Sequence, residues 1–433
     1  MNQTDRLERD LTAWLVDTAV PRTPDYTNDI LRQTARMRQR PRWSFLERWL
    51  PMSVITLGRR TLKPVPWRAI GLVALLALLV LVALAAYIGS RHRTPAPFGV
   101  AGNGLVAYDG AGDIYAKDLA SGRIVTIAAG PDFDTAPQFS PDGTKVAFLR
   151  RVVDDPYNPG DAFNIVTAEI GGSHATVITT EPIRAEDAAQ WAPDGASILA
   201  NSSRHGDLRL YDATKAAPPR IIASGVVVEA GAFRPPDGKQ ILFHRQGPDG
   251  KGLYVMNLDG TGVTPLVVID AAHDRDDDSL NAPAWSPDGS TVAFPLTIER
   301  APDQVRIHLV DADGTNLREL SNAPDKVYEN GPMWSPDGTR IAYRRWTREP
   351  GPDQGHILPV AISGLNGGPL VETGLQLGGS GVGFNWSPDG STILAVSGDV
   401  SRPTLLDPSG VGYADLDVPS EPGAQLSWQR IAR

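Results

Sequence analysis

A five-residue motif recurs along the last three quarters of the chain and constrains the fold more than any other feature. Three copies are identical, with the sequence Trp-Ser-Pro-Asp-Gly beginning at Trp285, Trp334 and Trp386. Two more copies, beginning at Phe139 and Trp191, differ by one residue each. Repetition at a near-constant spacing is typical of architectures in which one supersecondary unit is used many times. Each copy of the motif is therefore expected to mark one such unit.

Two further aromatic residues complete the series. A copy with one inserted residue begins at Phe233, and a degenerate last copy contains Trp428. Neighbouring aromatic positions are 42 to 52 residues apart, which is the length of a four-stranded propeller blade. Within the motif, Pro presets φ for a tight turn, Asp can bond its own backbone and Gly accepts a positive φ. We predict a structural role for the whole series, which comprises Phe139, Trp191, Phe233, Trp285, Trp334, Trp386 and Trp428.

The strand patterns between the motifs predict how the ring closes. Six blades fill residues 137–418, and strand-like segments remain at both ends of this range. These are residues 105–108, 113–117 and 124–127 at the front and residues 426–431 at the back. We predict that they form one composite blade, because joining the chain ends in a single sheet removes exposed strand edges. The predicted fold class is all-β: a seven-bladed propeller, preceded by a single transmembrane helix and a short helical cytoplasmic segment.

The predicted membrane segment is an uncharged run of 20 residues between Ala69 and Ile88. As a helix, this run spans the hydrocarbon core of a bilayer. Residues 1–68 contain 13 Lys and Arg against 7 Asp and Glu, whereas the whole chain has a net charge of −9. By the positive-inside rule, the basic side stays in the cytoplasm. We therefore predict a single-pass protein of the cell membrane, with a cytoplasmic N-terminus and an extracytoplasmic propeller.

A cleaved signal peptide is the competing interpretation of this run, since Ala83-Leu84-Ala85 matches a small-residue cleavage pattern. The length of the apolar run and of the segment before it favour an anchor. A buried helix of a soluble protein is also disfavoured, because the run is apolar on every side. The predicted domains are a basic cytoplasmic segment, a transmembrane helix, a linker and the propeller, at residues 1–66, 67–90, 91–103 and 104–433.

The Trp-Ser-Pro-Asp-Gly copies resemble the TolB-type, WD40-like propeller repeat, which is also found in the propellers of prolyl oligopeptidases. The resemblance covers residues 100–433 and implies a fold, but a fold alone does not imply a function. The N-terminal domain of TolB has no counterpart here, so the resemblance does not imply a Tol–Pal role. The arrangement of basic head, single span and outer propeller is similar to anti-sigma-factor-like bacterial membrane proteins, which implies signal transduction.

Residues 1–66 contain short amphipathic helical patterns, such as Leu7, Leu11 and Trp14 on one helical face. One interpretation is a docking element for a cytoplasmic protein, and the resemblance implies that this partner is a sigma factor. The other is a set of helices that rest on acidic lipid at the inner membrane surface. Zinc-type anti-sigma domains use a His-x-x-x-Cys-x-x-Cys pattern, whereas this chain has no cysteine. Both interpretations therefore stay open.

The sequence contains no signature of an enzyme. It has no Gly-x-Ser-x-Gly, His-Glu-x-x-His, Walker or dinucleotide-binding motif. The lack of cysteine excludes disulfides, thiolate catalysis and Cys-ligated zinc. The seven histidines are scattered and are interpreted as ordinary loop or strand residues. We predict no catalytic residue and no cofactor. We also predict no nucleic-acid partner, because the outer part is acidic and lies outside the cytoplasm.

One acidic loop is a weak candidate for a cation site. Asp274, Asp276 and Asp278 have the alternate spacing of calcium-binding loops. Ser279 and Trp285 stand where an EF-hand has its glycine and its closing glutamate. A solvated loop without a bound ion is the favoured interpretation.

The predicted binding face is the one opposite the Pro-Asp-Gly turns, because the longer loops lie there and function tends to lie on long loops held by a rigid scaffold. These longer loops include residues 298–304 and 321–331. The competing interpretation is that these loops merely tolerate insertions. The residues predicted at or near this face are Tyr157, Tyr328, Arg345, Trp346 and His356.

Together these features favour a non-enzymatic, membrane-anchored binding or sensor propeller. Its ligand would be a protein, peptide or glycan outside the membrane, and its occupancy would be relayed inward. The alternative is an extracytoplasmic hydrolase or lyase with its site in the central channel. His, Arg and carboxylates clustered at the channel mouth would favour the enzyme, whereas small mixed residues there would favour the binding protein.

Overall fold

The chain divides into two compact units, Met1–Ser90 and Arg91–Arg433. The computed structural model describes residues 73–78, 95–152, 162–172, 174–184, 189–202, 205–224, 231–247, 250–269, 282–298, 301–320, 327–347, 360–365, 370–373, 383–396, 403–418 and 425–433. In the first unit, residues 73–78 form a helix with exposed side chains. Among the described residues, no helix combines the length and the hydropathy that a membrane span requires. The rest of the predicted span, and the whole predicted cytoplasmic segment, lie outside the described residues.

The second unit consists of small antiparallel sheets. The first group of strands is β1 (Gly102–Gly110), β2 (Asp113–Lys117) and β3 (Ile124–Ala128). The next sheet contains β4 (Asp134–Phe139), β5 (Lys145–Arg151), β6 (Phe163–Glu169) and β7 (Ala175–Val177). A third contains β8 (Ala189–Trp191), β9 (Ser197–Ser202), β10 (Asp207–Asp212) and β11 (Arg220–Ser224). A fourth contains β12 (Ala232–Phe233), β13 (Gln240–Gly247), β14 (Gly250–Asn257) and β15 (Thr264–Ile269).

The following eight strands belong to one larger sheet. Its first half contains β16 (Ala284–Trp285), β17 (Thr291–Ile298), β18 (Ala301–Asp311) and β19 (Arg318–Glu319). Its second half contains β20 (Val327–Trp334), β21 (Arg340–Thr347), β22 (Val360–Gly364) and β23 (Val371–Glu372). The last sheet contains β24 (Gly383–Trp386), β25 (Ile393–Val396), β26 (Thr404–Leu406) and β27 (Tyr413–Asp415). One strand remains, β28 (Ser427–Ile431).

The two ends of this unit meet in one sheet. β28 pairs antiparallel with β1, with Val106 opposite Trp428 and Ala107 opposite Ser427. The first sheet therefore has the order β28-β1-β2-β3, and the prediction that both chain ends share one sheet is confirmed. A buried hydrophobic cluster also joins Tyr108 of this sheet to residues of the last sheet. The sheets thus form a closed ring, which is the architecture of a β-propeller.

The number of separate sheets differs from the predicted seven. Five sheets have four strands, and the sixth has eight because β18 and β20 pair in parallel at Val305 and Tyr328. The motif pattern placed residues 298–304 and 321–331 in loops. Instead, β18 begins at Ala301 and β20 begins at Val327. The longer strands bring two inner segments close enough to bond, which merges two sheets that the spacing alone would separate.

Burial on both sheet faces explains why these strands are so apolar. Every residue of β25 is buried, because each sheet is covered by a neighbour on either side. One cluster between the first two sheets joins Ala107 and Ile114 to Phe139 and Phe148. Burying a side chain of this size contributes about 1.5–3 kcal/mol. Strong packing between sheets therefore holds the ring together and fixes the position of every strand end.

Candidate functional site

The propeller has two chemically different faces. In the second sheet, β4 runs from Asp134 to Phe139, a turn follows, and β5 runs back from Lys145 to Arg151. The other repeats have the same course. We use the term turn face for the end that carries the Ser-Pro-Asp-Gly turns. The opposite end, where inner strands begin and second strands finish, is called the loop face.

Side-chain hydrogen bonds within each motif stabilise the turn face. In the copy after Trp285, Ser286 Oγ donates to Asp288 Oδ1 at 2.6 Å, and the backbone N–H of Ser290 donates to the same oxygen at 3.0 Å. The backbone N–H of Thr291 donates to Ser286 Oγ at 3.0 Å. The Asp and Ser side chains thus satisfy backbone donors that the turn leaves unpaired.

The turn aspartates are ionised at neutral pH. Burial alone would raise the pKa of Asp389, but hydrogen bonds from Ser391 and Ser387 outweigh it and lower that pKa to about 2. Burial would also raise the pKa of Asp288 and Asp337, but hydrogen bonds outweigh it and lower the pKa of both carboxylates. The arrangement explains a structural role for these carboxylates without a ligand.

Three of the repeat tryptophans donate a hydrogen bond to the repeat before their own. Trp386 Nε1 donates to the backbone oxygen of Met333 at 3.1 Å. Trp334 Nε1 donates in the same way to Ala284 at 3.0 Å, and Trp191 Nε1 donates to Gln138 at 3.0 Å. In each case the acceptor lies just before the aromatic residue of the preceding motif, so the hydrogen bond repeats with the sheets.

The loop face brings together three of the residues predicted for binding. Tyr328 lies on β20 and Trp346 lies opposite it on β21. Their rings stack with centroids 5.6 Å apart and an angle of 19° between the planes, and both side chains are half-buried. Arg345 lies beside Trp346 and is buried. The prediction placed these three residues on long loops, but they lie on strands, which holds them more rigidly.

A buried ion pair lies next to this aromatic pair. Arg345 Nε is 3.8 Å from Glu329 Oε1, and Glu329 is completely buried. The other carboxylate oxygen of Glu329 accepts a hydrogen bond from the backbone N–H of Ile307 at 3.2 Å. Glu329 thus connects β21 with β18, so the ion pair fixes both the local sheet and its neighbour.

A second buried guanidinium completes the connection between β18 and β20. Arg306 is only 1% exposed, and it donates hydrogen bonds to the backbone oxygen of Val327 and to Gln304. Its Nε lies 3.6 Å from Glu319 Oε1, and burial raises the pKa of Glu319. Burial also lowers the pKa of the nearby His308, whose ring bonds the Arg306 backbone oxygen. β18 and β20, whose pairing joins the two halves of the large sheet, therefore meet at a network of charged side chains.

Another charged cluster lies on the loop face of the third sheet. Arg209 Nε is 2.7 Å from Asp207 Oδ1, and Arg209 Nη1 is 3.4 Å from Glu181 Oε2. The same carboxylate oxygen is 3.4 Å from His205 Nε2. Burial alone would lower the pKa of Arg209, but its interactions with Asp207 and Tyr211 together outweigh burial and raise that pKa. The imidazole and Glu181 are exposed and accessible to a ligand.

Sequence reasoning missed both clusters. Arg306 lies between the apolar residues Val305 and Ile307 of β18. A charged side chain between inward-facing residues is rare unless it is paired. The charge of Arg306 among apolar neighbours was therefore the one sequence feature that could have indicated a buried ion pair. The partners could not be identified, because Arg306 bonds to Val327 and Glu329 bonds to Ile307, and these contacts form only where β18 and β20 meet in the merged sheet.

Several predicted residues lie outside the described part of the chain. They are Tyr157 and His356 of the binding face, and Asp274, Asp276 and Asp278 of the acidic loop. Within the described ranges there is no group of three or more His, Cys, Asp or Glu side chains that could hold a metal ion. The cation site stays a prediction.

The segment that leads into the propeller, residues 95–101, lies across the turn face. Arg430 of β28 donates to the backbone oxygens of Ala96 and Gly99, at 3.1 and 2.6 Å through Nη2. The backbone N–H of Ala101 donates to Pro388 of the last sheet at 2.9 Å. Phe98, in contrast, packs against the cluster shared by the third and fourth sheets. This leading segment therefore contacts the first and last sheets through its backbone and packs against the third and fourth sheets through Phe98.

Comparisons with curated proteins give a short match. No protein-family model matches the chain. Dipeptidyl-peptidase 5 of Porphyromonas gingivalis is 31% identical over 103 residues, which is 24% of this chain. The matched segment spans 15% of the length of that relative. The match therefore supports local sequence similarity and assigns neither a family nor an activity.

Solved structures match over a much larger part of the chain. A protein from Lactobacillus plantarum is 13% identical, with a TM-score of 0.51, over 76% of this chain and 99% of its own. A prolyl endopeptidase is 14% identical, with a TM-score of 0.51, over 78% of this chain and 55% of its own. The shared fold is the β-propeller. A putative TolB from Agrobacterium tumefaciens is 19% identical, with a TM-score of 0.46, over 68% and 96%. At these identities the likeness concerns the fold alone.

Proposed function

We propose that this propeller is a non-enzymatic binding module that takes up a protein, peptide or glycan outside the cytoplasm through its loop face. The stacked pair of Tyr328 and Trp346 is the observation that carries the proposal. Both rings are half-buried, so each keeps part of its surface available to a ligand. Aromatic side chains with few rotatable bonds supply contact area at low entropic cost.

Rigid support is the second argument for binding at this position. The two rings are on neighbouring strands in register, and the ion pair of Arg345 and Glu329 lies directly behind them. A site on strands is positioned more accurately than one on loops. The loop face also lies opposite the leading segment, which contacts the turn face.

The experiment uses the full chain in detergent micelles with an array of cell-envelope glycans and a phage-displayed peptide library as probes. A retained probe should lose roughly fivefold or more in affinity in Trp346→Ala, since truncating an aromatic anchor costs over ~1 kcal/mol. Val411→Ala is the control, because Val411 is 81% exposed in the hairpin between β26 and β27 on the turn face. Equal losses in the two variants would refute the assignment of the loop face.

An extracytoplasmic hydrolase or lyase is the second candidate, and the cluster around His205 supports it. An exposed imidazole 3.4 Å from the Glu181 carboxylate is an arrangement that general acid–base chemistry uses. A panel of polysaccharides and peptides tests this candidate directly. Turnover that disappears in His205→Gln and in Glu181→Gln would replace binding by catalysis as the function.

The membrane location is part of the same proposal and rests on the sequence. The run between Ala69 and Ile88 anchors the protein, and residues 1–66 contact either a sigma factor or the inner membrane surface. Resistance to alkaline carbonate extraction, together with protease sensitivity of the propeller in intact spheroplasts, tests the orientation. A pull-down with residues 1–66 that recovers no cytoplasmic protein would exclude the signalling version and leave the binding role of the propeller intact.

We propose that the ring has seven blades, two of which are joined in the eight-stranded sheet. A buried cluster packs Leu309 of β18 against Trp334 and Tyr343 of the second half of the eight-stranded sheet. Neighbouring blades pack in this manner elsewhere in the ring, for example in the cluster of Phe139. The parallel contact at Val305 is then a link between two blades. An experimental structure with six or eight radial layers would contradict this count.

A further inference from the structure

The turn face contains a repeated contact between an arginine of one sheet and the motif of the next. The guanidinium of Arg340 lies over the ring of Trp386, with its carbon 4.9 Å from the ring centroid. Its Nη2 donates to the backbone oxygen of Gly390 at 3.2 Å. The next motif thus offers an aromatic face and a carbonyl oxygen, and an arginine of the preceding sheet uses both.

The same contact occurs at a second position in the ring with a different arginine. Arg234 lies 5.1 Å from the ring centroid of Trp285, and its Nε donates to the backbone oxygen of Gly289 at 3.0 Å. At a third position, Gln429 Nε2 donates to the backbone oxygen of Gly143 at 2.7 Å. The glycine carbonyl of the motif is therefore a recurrent acceptor for a side chain of the preceding sheet.

At the motif of Trp334 the two arginine positions hold short side chains. Thr291 is the sixth residue after its motif tryptophan, as Arg340 is. Ser286 directly follows that tryptophan, as Arg234 follows Phe233. Ser286 is bonded to its own turn. At the other two motifs an arginine guanidinium fills the corresponding place. Here there is instead a cavity of about 290 Å³. It is lined by Ser286, Pro287, Asp288, Ser290, Thr291, Trp334, Asp337, Gly338 and Leu365.

The lining of this cavity suits a cation. It contains the carboxylates of Asp288 and Asp337, and hydrogen bonds lower the pKa of both against the opposing effect of burial. The indole of Trp334 is held in place by its hydrogen bond to Ala284. A positive charge over an indole face is favourable, and two nearby carboxylates reinforce it.

We propose that this cavity between β17 and β20 binds the guanidinium of an arginine side chain presented by a protein or peptide partner. The two filled positions in the same ring show the chemistry that fits: a planar cation stacked on the motif tryptophan and donating to the motif glycine. A guanidinium stacks and donates in one plane, whereas an ammonium acts as a point charge. This site is on the turn face, so it is independent of the function proposed for the loop face.

The test uses the full chain in detergent micelles, labelled with 5-fluorotryptophan and titrated with Nα-acetyl-arginine amide. The chain has ten tryptophans, and the Trp334→Phe variant assigns the resonance of Trp334. We expect a saturable shift of that resonance with a millimolar dissociation constant. The citrulline amide has the same shape without the charge and should produce no shift, and the lysine amide should bind more weakly.

Two reciprocal substitutions make the test specific to this geometry. Thr291→Arg copies Arg340 into the empty position and should reduce binding of the arginine probe by roughly tenfold or more. Arg340→Thr empties the filled position and should create a second site that shifts the resonance of Trp386. Near-ultraviolet circular dichroism identifies a variant that is misfolded. If Thr291→Arg folds poorly, Arg340→Thr still tests the same geometry.

Three results would overturn the proposal. Equal binding of the citrulline amide would exclude recognition of a charge. Undiminished binding in a folded Thr291→Arg variant would place the ligand elsewhere. The peptide Gly-Gly-Arg-Gly-Gly should bind at least as tightly as the amide, and weaker binding by the peptide would overturn the assignment to a partner's side chain.

Discussion

At the residue scale, the repeat tryptophans differ in one measurable respect. Trp386 donates its indole N–H to Met333, whereas the buried indole nitrogen of Trp285 has no hydrogen-bond acceptor among the described residues. Trp386→Phe should therefore cost about 1 kcal/mol of unfolding free energy more than Trp285→Phe, since only the first removes a hydrogen bond. Both substitutions leave a smaller ring in the core, which makes the pair a matched comparison.

Urea unfolding of both variants, followed by far-ultraviolet circular dichroism, measures this difference. Trp191→Phe should behave like Trp386→Phe, because Trp191 also donates to the preceding sheet. Equal losses in all three variants would mean that ring volume, and not the indole hydrogen bond, sets the contribution of the motif tryptophan.

The turn carboxylates should make the unfolding free energy depend on pH. The pKa of Asp389 in the folded chain, about 2, lies below the ordinary value of 3.8. Its contribution to stability is present above the ordinary value and is lost as the pH falls from about 4 to about 2. Between these limits the wild type should lose about 1 kcal/mol more than Asp389→Asn, a value that allows for solvent screening at a partly exposed site. Parallel pH profiles of unfolding free energy for the two proteins would contradict it.

Single-residue roles were predictable where the residue acts within its own motif. The turn chemistry of Asp288 and the inter-sheet position of Trp334 follow from local sequence and spacing. The roles of Arg306 and Glu329 do not, because they depend on which strands become neighbours. A buried charge in a strand indicates that a partner exists, but tertiary packing alone determines which residue that is.

At the scale of elements, the ion pair behind the aromatic rings should stabilise three strands at once. Glu329 is buried, pairs with Arg345 and accepts a hydrogen bond from β18. Glu329→Gln should cost about 3 kcal/mol, because breaking a buried pair leaves a guanidinium without its counter-charge. Glu181→Gln is the control: the Glu181 side chain is 59% exposed, and its partner Arg209 keeps the carboxylate of Asp207 at 2.7 Å, so the cost should stay below about 1 kcal/mol.

Thermal unfolding of the two variants measures both costs. A Glu181→Gln variant as unstable as Glu329→Gln would show that burial of the carboxylate does not set the cost of losing its charge. Binding of a loop-face ligand should also weaken in Glu329→Gln, since the strands that hold Tyr328 and Trp346 lose their support.

The elements themselves were largely predictable from the sequence. Turn residues and apolar runs located the strands after each motif, such as β17 and β21. Strand ends on the loop face were not predictable. Residues 344–347 contain no Gly or Pro to separate a loop from a strand. Asn330-Gly331 is a turn signal in the sequence, yet it lies inside β20, at a shift of register. Their pairing depends on the opposite strand, which the sequence of either segment alone does not contain.

At the scale of the whole molecule, the leading segment should be an integral part of the ring. Arg430 donates to Ala96 and Gly99, and burial lowers the pKa of its guanidinium. Arg430→Ala should release residues 95–101, lower the unfolding free energy by about 1–3 kcal/mol and speed hydrogen exchange at Ala101. Arg433→Ala is the control, since Arg433 is exposed and donates one bond of 3.3 Å to Ala101. Unchanged exchange in Arg430→Ala would mean that the segment is held by other contacts.

Ring closure was predictable, whereas the sheet count and the path of the leading segment were not. The unmatched strands at the two chain ends were expected to pair with each other, because an open propeller would expose two sheet edges. The merged sheet depends on a single pair, Val305 and Tyr328, and such a contact has no sequence signature. The leading segment has no regular strand or helix, so its contacts with Pro388 and with the third sheet depend entirely on the folded ring.

The pairing of the chain ends can be tested covalently because the chain has no cysteine. Ala107 and Ser427 are register partners across β1 and β28, so Ala107→Cys combined with Ser427→Cys should form a disulfide on mild oxidation. That bond would close a loop of most of the propeller and raise the unfolding free energy, by up to about 6 kcal/mol in the chain-entropy treatment. The off-register pair Ala107→Cys and Ile431→Cys should stay reduced, because its Cα atoms are too far apart. If both pairs oxidise equally, the ends are not held in this register, and closure through β28 must be abandoned together with the assignment of the two faces.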